Sequence, residues 1–255
     1  MRWIELAGIP GSGKTTLYKQ LAERLRPEGA LFTVDDLYAR LAPAPESLRQ
    51  TVKNKLKPLS QDEVDRKAKT RYLQHNLESK LLLDYQMAHI NQLHFLIHAV
   101  YQQPAEDREK IMRWILRVFT YHQTAQSTFT ESESFLIDEG FVQRLITLYV
   151  TPANTPAPEQ IENYSEQLPK ISTLFILETD LETAFQRITR RGLPLRLKDQ
   201  PEESVREFLQ NAQTSLTGLT ALLEKSGVPV IKLPSDDTTL DKTLHYLQDQ
   251  KQPAL

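Results

Sequence analysis

The stretch G-I-P-G-S-G-K-T-T at residues 8–16 constrains this chain more than any other feature. Gly8, Gly13, Lys14 and Thr15 satisfy the spacing G-x-x-x-x-G-K-[ST], which works only as a tight turn between a strand and a helix. Glycines let consecutive backbone N–H groups curl around a phosphate, and the helix that follows aims its positive end at the same point. The flanking residues agree with that geometry. Trp3, Ile4 and Leu6 form a short apolar run before the first glycine, and Leu17, Leu21 and Leu25 recur every four residues after the turn. That periodicity predicts a helix stopping near Pro27 and Gly29. With glycine at about 7 % of average sequence, the pattern arises by chance in roughly one chain of this length per hundred, and the context makes chance rarer still.

The rest of the chain extends the alternation. A second apolar run at 31–34 ends in Asp35 and Asp36. From about residue 45 to 130 the pattern becomes helical, an insertion between the second and third strands. Leu83, Met87, Ile90, Ile97 and Val100 predict one long amphipathic helix there, Ile111, Ile115, Val118 and Phe119 a second, with Pro104 between them. A strand at 134–137 then runs into Asp138, Glu139 and Gly140 and is followed by a helix through Val150. The proline-rich stretch 151–158 reads as a surface loop. Residues 171–177 predict a strand, 181–191 a helix ending at Gly192, 202–225 a helix, 228–233 a strand and 240–247 a last helix. Strands alternating with helices imply an α/β fold, a mainly parallel sheet covered on both faces. A length of 255 residues suits a single domain, 1–255, carrying the insertion at 45–130.

Composition narrows the function classes. Apolar residues at 40 % and charged residues at 25 % allow a sizeable core. A formal charge of −2 lacks the basic footprint that gripping a nucleic-acid backbone requires, so no nucleic-acid partner is expected. The absence of cysteine removes thiolate nucleophiles and zinc–thiolate sites and fits a reducing interior. No run approaches the roughly 18 to 20 apolar residues of a membrane span, so the expectation is a cytoplasmic protein with no membrane partner.

Each residue type in the loop has a chemical reason. Gly8, Pro10, Gly11, Ser12 and Gly13 form the cradle, Lys14 reaches the β- and γ-phosphate oxygens, and Thr15 supplies a hydroxyl to magnesium. Thr16 supports the α-phosphate. Asp138, at the carboxyl end of a strand, is the expected second magnesium residue, and Glu139 either orients a nucleophile or faces solvent. Strand-end acids also serve as helix caps. Arg144, one turn later, can pair with these acids. In R-I-T-R-R-G at 187–192, Arg187 and Arg191 share a helical face, with Arg196 and Lys198 beyond. Such arginines over a triphosphate are worth ~10³ to 10⁵ in rate, against only ~0.3 to 1 kcal/mol for cations merely placed at a helix C-terminus.

The loop, the strand-end D-E-G and the R-x-x-R-R-G segment, in that order with a helical insertion before the second, resemble the nucleoside and nucleotide kinases of the P-loop class, thymidylate kinase in particular. The resemblance implies a three-layer fold around a five-stranded parallel sheet of order 2-3-1-4-5, ATP with magnesium as donor, and a lid at 187–200 carrying Arg187, Arg190 and Arg191. It also implies an adenine seat after the last strand, near Leu233, Pro234 and Ser235. Thymidylate kinases have D-R-[YFS] where this chain has Asp138, Glu139 and Gly140. The T-V-D-D-L segment at 33–37 is instead similar to small-molecule kinases of the gluconate kinase type, which makes Asp35 or Asp36 a candidate base toward the acceptor hydroxyl. Capping of the next helix explains at least one of these aspartates without any substrate.

Two functions follow as expectations. One is transfer of the ATP γ-phosphate to a hydroxyl or phosphate of a small molecule, a nucleoside or nucleotide among them. The other is a P-loop ATPase or nucleotide switch, with water as acceptor and the insertion as a docking surface for a protein. His94 and His98 lie four apart but lack the intervening glutamate of a zinc-protease helix, which favours a packing or surface role. Arg71, Arg113, Arg117 and Trp114 fall in the insertion, where related kinases hold their acceptors.

Overall fold

The computed structural model describes residues 1–25, 29, 31–41, 78–194 and 197–250. Five strands, β1 (Arg2–Ala7), β2 (Leu31–Phe32), β3 (Ser134–Ile137), β4 (Thr173–Glu178) and β5 (Val230–Pro234), form one sheet in the order β2-β3-β1-β4-β5. Every pairing is parallel, as the alternation of strands and helices requires. In the centre Ile4 pairs with Leu136 on one side and Thr173 on the other. This is the three-layer order that the kinase resemblance implied.

Side chains alternate across the sheet and separate two cores. Ile4, Leu6, Leu136, Phe175, Leu177 and Leu233 pack with Leu17, Leu21 and Leu25 of α1 (Lys14–Leu25) and Leu247 of the C-terminal helix (Thr239–Asp249). On the opposite face, Trp3, Ala7, Phe135, Ile137 and Leu174 meet the larger helical layer. That layer includes α2 (Val34–Leu41), α3 (Glu78–Ala88), α4 (Ile90–Tyr101), α5 (Ala105–Thr128), α6 (Phe141–Tyr149), α7 (Pro158–Glu166), α8 (Leu181–Arg191) and α9 (Glu202–Lys225), and α10 is the C-terminal helix just named. Trp3 stacks on Phe135 with ring centroids 5.0 Å apart. Helix α6 is buried along nearly its whole length, which its sequence F-V-Q-R-L-I-T-L-Y anticipates by carrying few residues that need water.

The expected helix over Ile111, Ile115, Val118 and Phe119 is present as α5, with all four side chains buried. Each contributes ~1.5 to 3 kcal/mol relative to an exposed position. The helix expected from Leu83 to Val100 differs in two respects. It is interrupted at His89, and Leu83, Met87, Ile90 and Ile97 face outward, Met87 with 79 % exposure. Tyr85, Leu96, Ala99 and Val100 form its buried side instead. Of the insertion at 45–130, residues 45–77 and with them Arg71 lie outside the described residues. No helix among the described residues is long and apolar enough to cross a membrane.

Candidate phosphate-binding cleft

Strand β1 delivers the loop. It ends at Ala7, and α1 begins at Lys14, so residues 8–13 turn the chain between two elements held against each other in one core, Ile4 and Leu6 of β1 with Leu17, Leu21 and Leu25 of α1. Gly11 shows why the turn is spelled with glycine. Its φ is +89°, and a Cβ there would lie 2.5 Å from the carbonyl oxygen of Ala184 in α8. The loop is thus seated directly against the arginine-bearing helix. Thr16 N and Leu17 N donate to Gly13 O at 3.0 and 3.1 Å and start the helix. The Lys14 ammonium is buried and donates to Gly8 O at 2.7 Å, Ile9 O at 3.1 Å and Ser12 Oγ at 3.4 Å. Burial lowers its pKa to about 8, with Glu139 and Asp138 acting the other way and Arg191 adding to the fall.

The acid side comes from β3, which ends at Ile137 and hands the chain to Asp138. Thr15 Oγ1 donates to Asp138 Oδ2 at 3.2 Å, joining residues 123 positions apart. A hydroxyl and a carboxylate oxygen brought together in this way are hard donors of the kind that would hold a magnesium ion. Burial raises the Asp138 pKa and the neighbouring Glu139 raises it further, while the Thr15 hydroxyl opposes the rise. Glu139 is 58 % exposed along its side chain and accepts from Arg144 Nη2 at 3.0 Å. The Arg144 side chain is only 11 % exposed, so its charge is held at one place by α6.

Helix α8 supplies the third side. Arg187 Nη1 donates to Ser235 Oγ at 2.8 Å and to Gly11 O at 3.4 Å, and Ser235 Oγ donates to Ser12 O at 2.9 Å. The turn after β5, the expected adenine seat, is thereby tied to the loop and to the arginine helix at once. Ser235 in this bridge was not legible in sequence, because nothing local marks a serine that finds its partners across 223 positions.

Pro10, Gly11, Gly13, Lys14, Thr15, Thr16, Glu139, Arg187 and Arg191 line one cleft of about 610 Å³. It continues between α5 and α6, where Lys110, Trp114, Gln143, Arg144 and Thr147 form its far end. The Lys110 ammonium lies 4.7 Å from the Trp114 ring centre. Arg190 is exposed on α8 and does not line the cleft, and neither does Lys198, while Arg196 lies outside the described residues.

Other candidates lie elsewhere. Asp35 is exposed on the first turn of α2 and does not line the cleft, although its charge, like that of Asp138, acts on the Tyr18 hydroxyl. Asp36 accepts from Thr33 N at 2.9 Å and Thr33 Oγ1 at 2.8 Å, the return half of a helix cap. His94 and His98 are exposed on α4, and among the described residues no three His, Cys, Asp or Glu side chains cluster as a metal site. Arg113 is exposed and pairs with Glu109 one turn before it on α5.

No family model matches this chain, and none of the curated proteins compared with it matches either. A solved structure of deoxyadenosine kinase from M. mycoides with bound dATP aligns over 96 % of this chain and 99 % of that one, at 12 % identity and a TM-score of 0.46. At that distance no residue role carries across. The class rests on the chain's own features, a P-loop α/β fold with the strand order 2-3-1-4-5 and the glycine-rich loop between β1 and α1.

Proposed function

We propose that this protein is an ATP-dependent phosphotransferase that moves the γ-phosphate to a hydroxyl or phosphate of a small molecule, within a single domain whose lid is the segment 187–200. The observation that carries the reading is convergence. Lys14 and Thr15 at the start of α1, Glu139 after the end of β3, and Arg187 and Arg191 of α8 come from three separate elements or their ends and meet at one cleft, with Asp138 bonded to Thr15 beside it. In this reading the backbone of Gly8 to Gly13, with Pro10 and Ser12, cradles the phosphates, and Thr16 supports the α-phosphate. Thr15 and Asp138 would hold magnesium, which would draw charge from the phosphate oxygens.

The chain's own groups then do the positioning. Lys14 turns from the loop carbonyls toward the phosphates, and Arg191 meets the developing charge from the lid. Arg187 braces the loop against the turn after β5. Glu139, held by Arg144, faces the cleft and is better placed than the exposed Asp35 to accept a proton from the attacking hydroxyl. The space between α5 and α6 favours transfer over hydrolysis, because it extends the cleft past the loop toward Trp114 and Gln143. A total of about 610 Å³ lies within the roughly 300 to 1,000 Å³ of small-molecule sites.

The test is incubation with γ-labelled ATP and magnesium, with and without pooled nucleosides, nucleotides and sugars, using Lys14→Ala as control. Label on an acceptor, lost in the control, is the expected result. Label released only as phosphate would instead identify the ATPase.

A further inference from the structure

Glu5 is a fully buried carboxyl in the middle of the central strand, on the face it shares with Trp3 and Ala7. An isolated carboxylate there costs several kcal/mol unless its oxygens are satisfied. They are satisfied by three donors, Trp3 Nε1 at 2.7 Å, Phe141 N at 2.9 Å and Val142 N at 3.0 Å. The last two are opening N–H groups of α6, which have no partner inside their own helix. The chain passes over the carboxyl so closely that a Cβ on Gly140 would sit 2.3 Å from Glu5 Cδ. Burial raises the pKa of Glu5, and these donors together with Arg144 act against the rise.

What this contact fixes is the turn from β3 to α6. Residues 138–140 are that turn, Asp138 on it faces Thr15, and Arg144 reaches back from the first turns of α6 to Glu139. Glu5 does not line the cleft. We infer that Glu5 is a positioning residue, anchoring the start of α6 to β1 so that Asp138 stands opposite Thr15 for magnesium–nucleotide binding. The inference rests on the nucleotide-binding reading above. It accounts for an acid in a strand where an apolar side chain would pack at lower cost, and for glycine at position 140.

The readout is the dissociation constant of ATP measured twice, with magnesium and with EDTA, for the wild type and Glu5→Gln. The glutamine keeps the size but turns an N–H group toward backbone donors. Partners that orient metal ligands typically contribute about 10- to 100-fold in metal affinity, so binding with magnesium should weaken by about that factor while binding in EDTA changes less than about twofold. A purely structural role would weaken both constants in proportion, and that result, or no change in a folded variant, overturns the proposal. Should Glu5→Gln not fold, Trp3→Phe removes only the indole donor and keeps a ring on Phe135. It should show the same magnesium-selective loss at smaller size, and its absence is equally decisive. A wild type that binds no ATP in either condition would remove the parent reading and this one with it.

Discussion

Thr15 and Asp138 meet at 3.2 Å although they lie on different strand-to-helix turns, and that distance defines what each can do. Asp138→Asn keeps the shape and an acceptor oxygen but removes the charge that a magnesium ion needs. It should lower label transfer by about 10²-fold or more and raise the magnesium concentration for half-maximal rate, as a magnesium titration of the transfer rate would show. The two lid arginines should separate in kinetics. Arg191 lines the cleft without a bond to the loop, so Arg191→Ala should lower kcat by ~10³-fold or more with little effect on the KM for ATP. Arg187 is bonded to Gly11 O and Ser235 Oγ, so Arg187→Ala should act chiefly by raising the KM for ATP. Equal effects of the two substitutions on both constants would contradict the separate roles.

Among the helices, the proposed phosphotransferase would take its acceptor in the stretch of cleft between α5 and α6. Trp114→Ala should raise the KM for the acceptor several-fold and leave the KM for ATP unchanged, a split that steady-state kinetics with each substrate varied would reveal. Helix α5 and the segment that precedes it, Leu83 to Val100, differ in how far sequence reveals them. Helix α5 was legible because the apolar residues that mark its stripe, Ile111, Ile115, Val118 and Phe119, are all buried. The segment from Leu83 to Val100 was misjudged because periodicity identifies an apolar stripe without telling which side faces the core. There the outward residues, Ile90 at 66 % exposure among them, are as apolar as the inward ones, and the interruption at His89 carries no proline or glycine to announce it. The tight turn between β1 and α1, the acids after β3 and the shared face of Arg187 and Arg191 were legible because local spacing alone specifies them. The Ser235 bridge and the anchoring of α6 by Glu5 were not, since both depend on partners brought together only by the sheet order.

The whole molecule is a sheet with two cores, and the larger core carries a pH liability. His122 is buried beside Trp3, with ring centroids 4.8 Å apart, and its Nε2 has no hydrogen-bond partner among the described residues. Burial lowers its pKa to about 4. The unfolded chain takes up this proton near pH 6.5 and the folded chain only near 4, so stability is lost as pH falls through that window, by about 2 kcal/mol at pH 5. Urea unfolding of His122→Gln at pH 7 and pH 5 should lack this part of the slope, whereas an unchanged slope would contradict it. The smaller core holds α1 against the sheet and so fixes Lys14 beneath the loop. The central claim, that this fold presents a nucleoside-triphosphate site at residues 8–16, is tested most directly by calorimetric titration of ATP with magnesium into the wild type and Lys14→Ala. Saturable one-to-one binding is expected, weakened by about tenfold or more in Lys14→Ala, the order of a charge-assisted contact. Equal binding by the two proteins, or none by either, would contradict it.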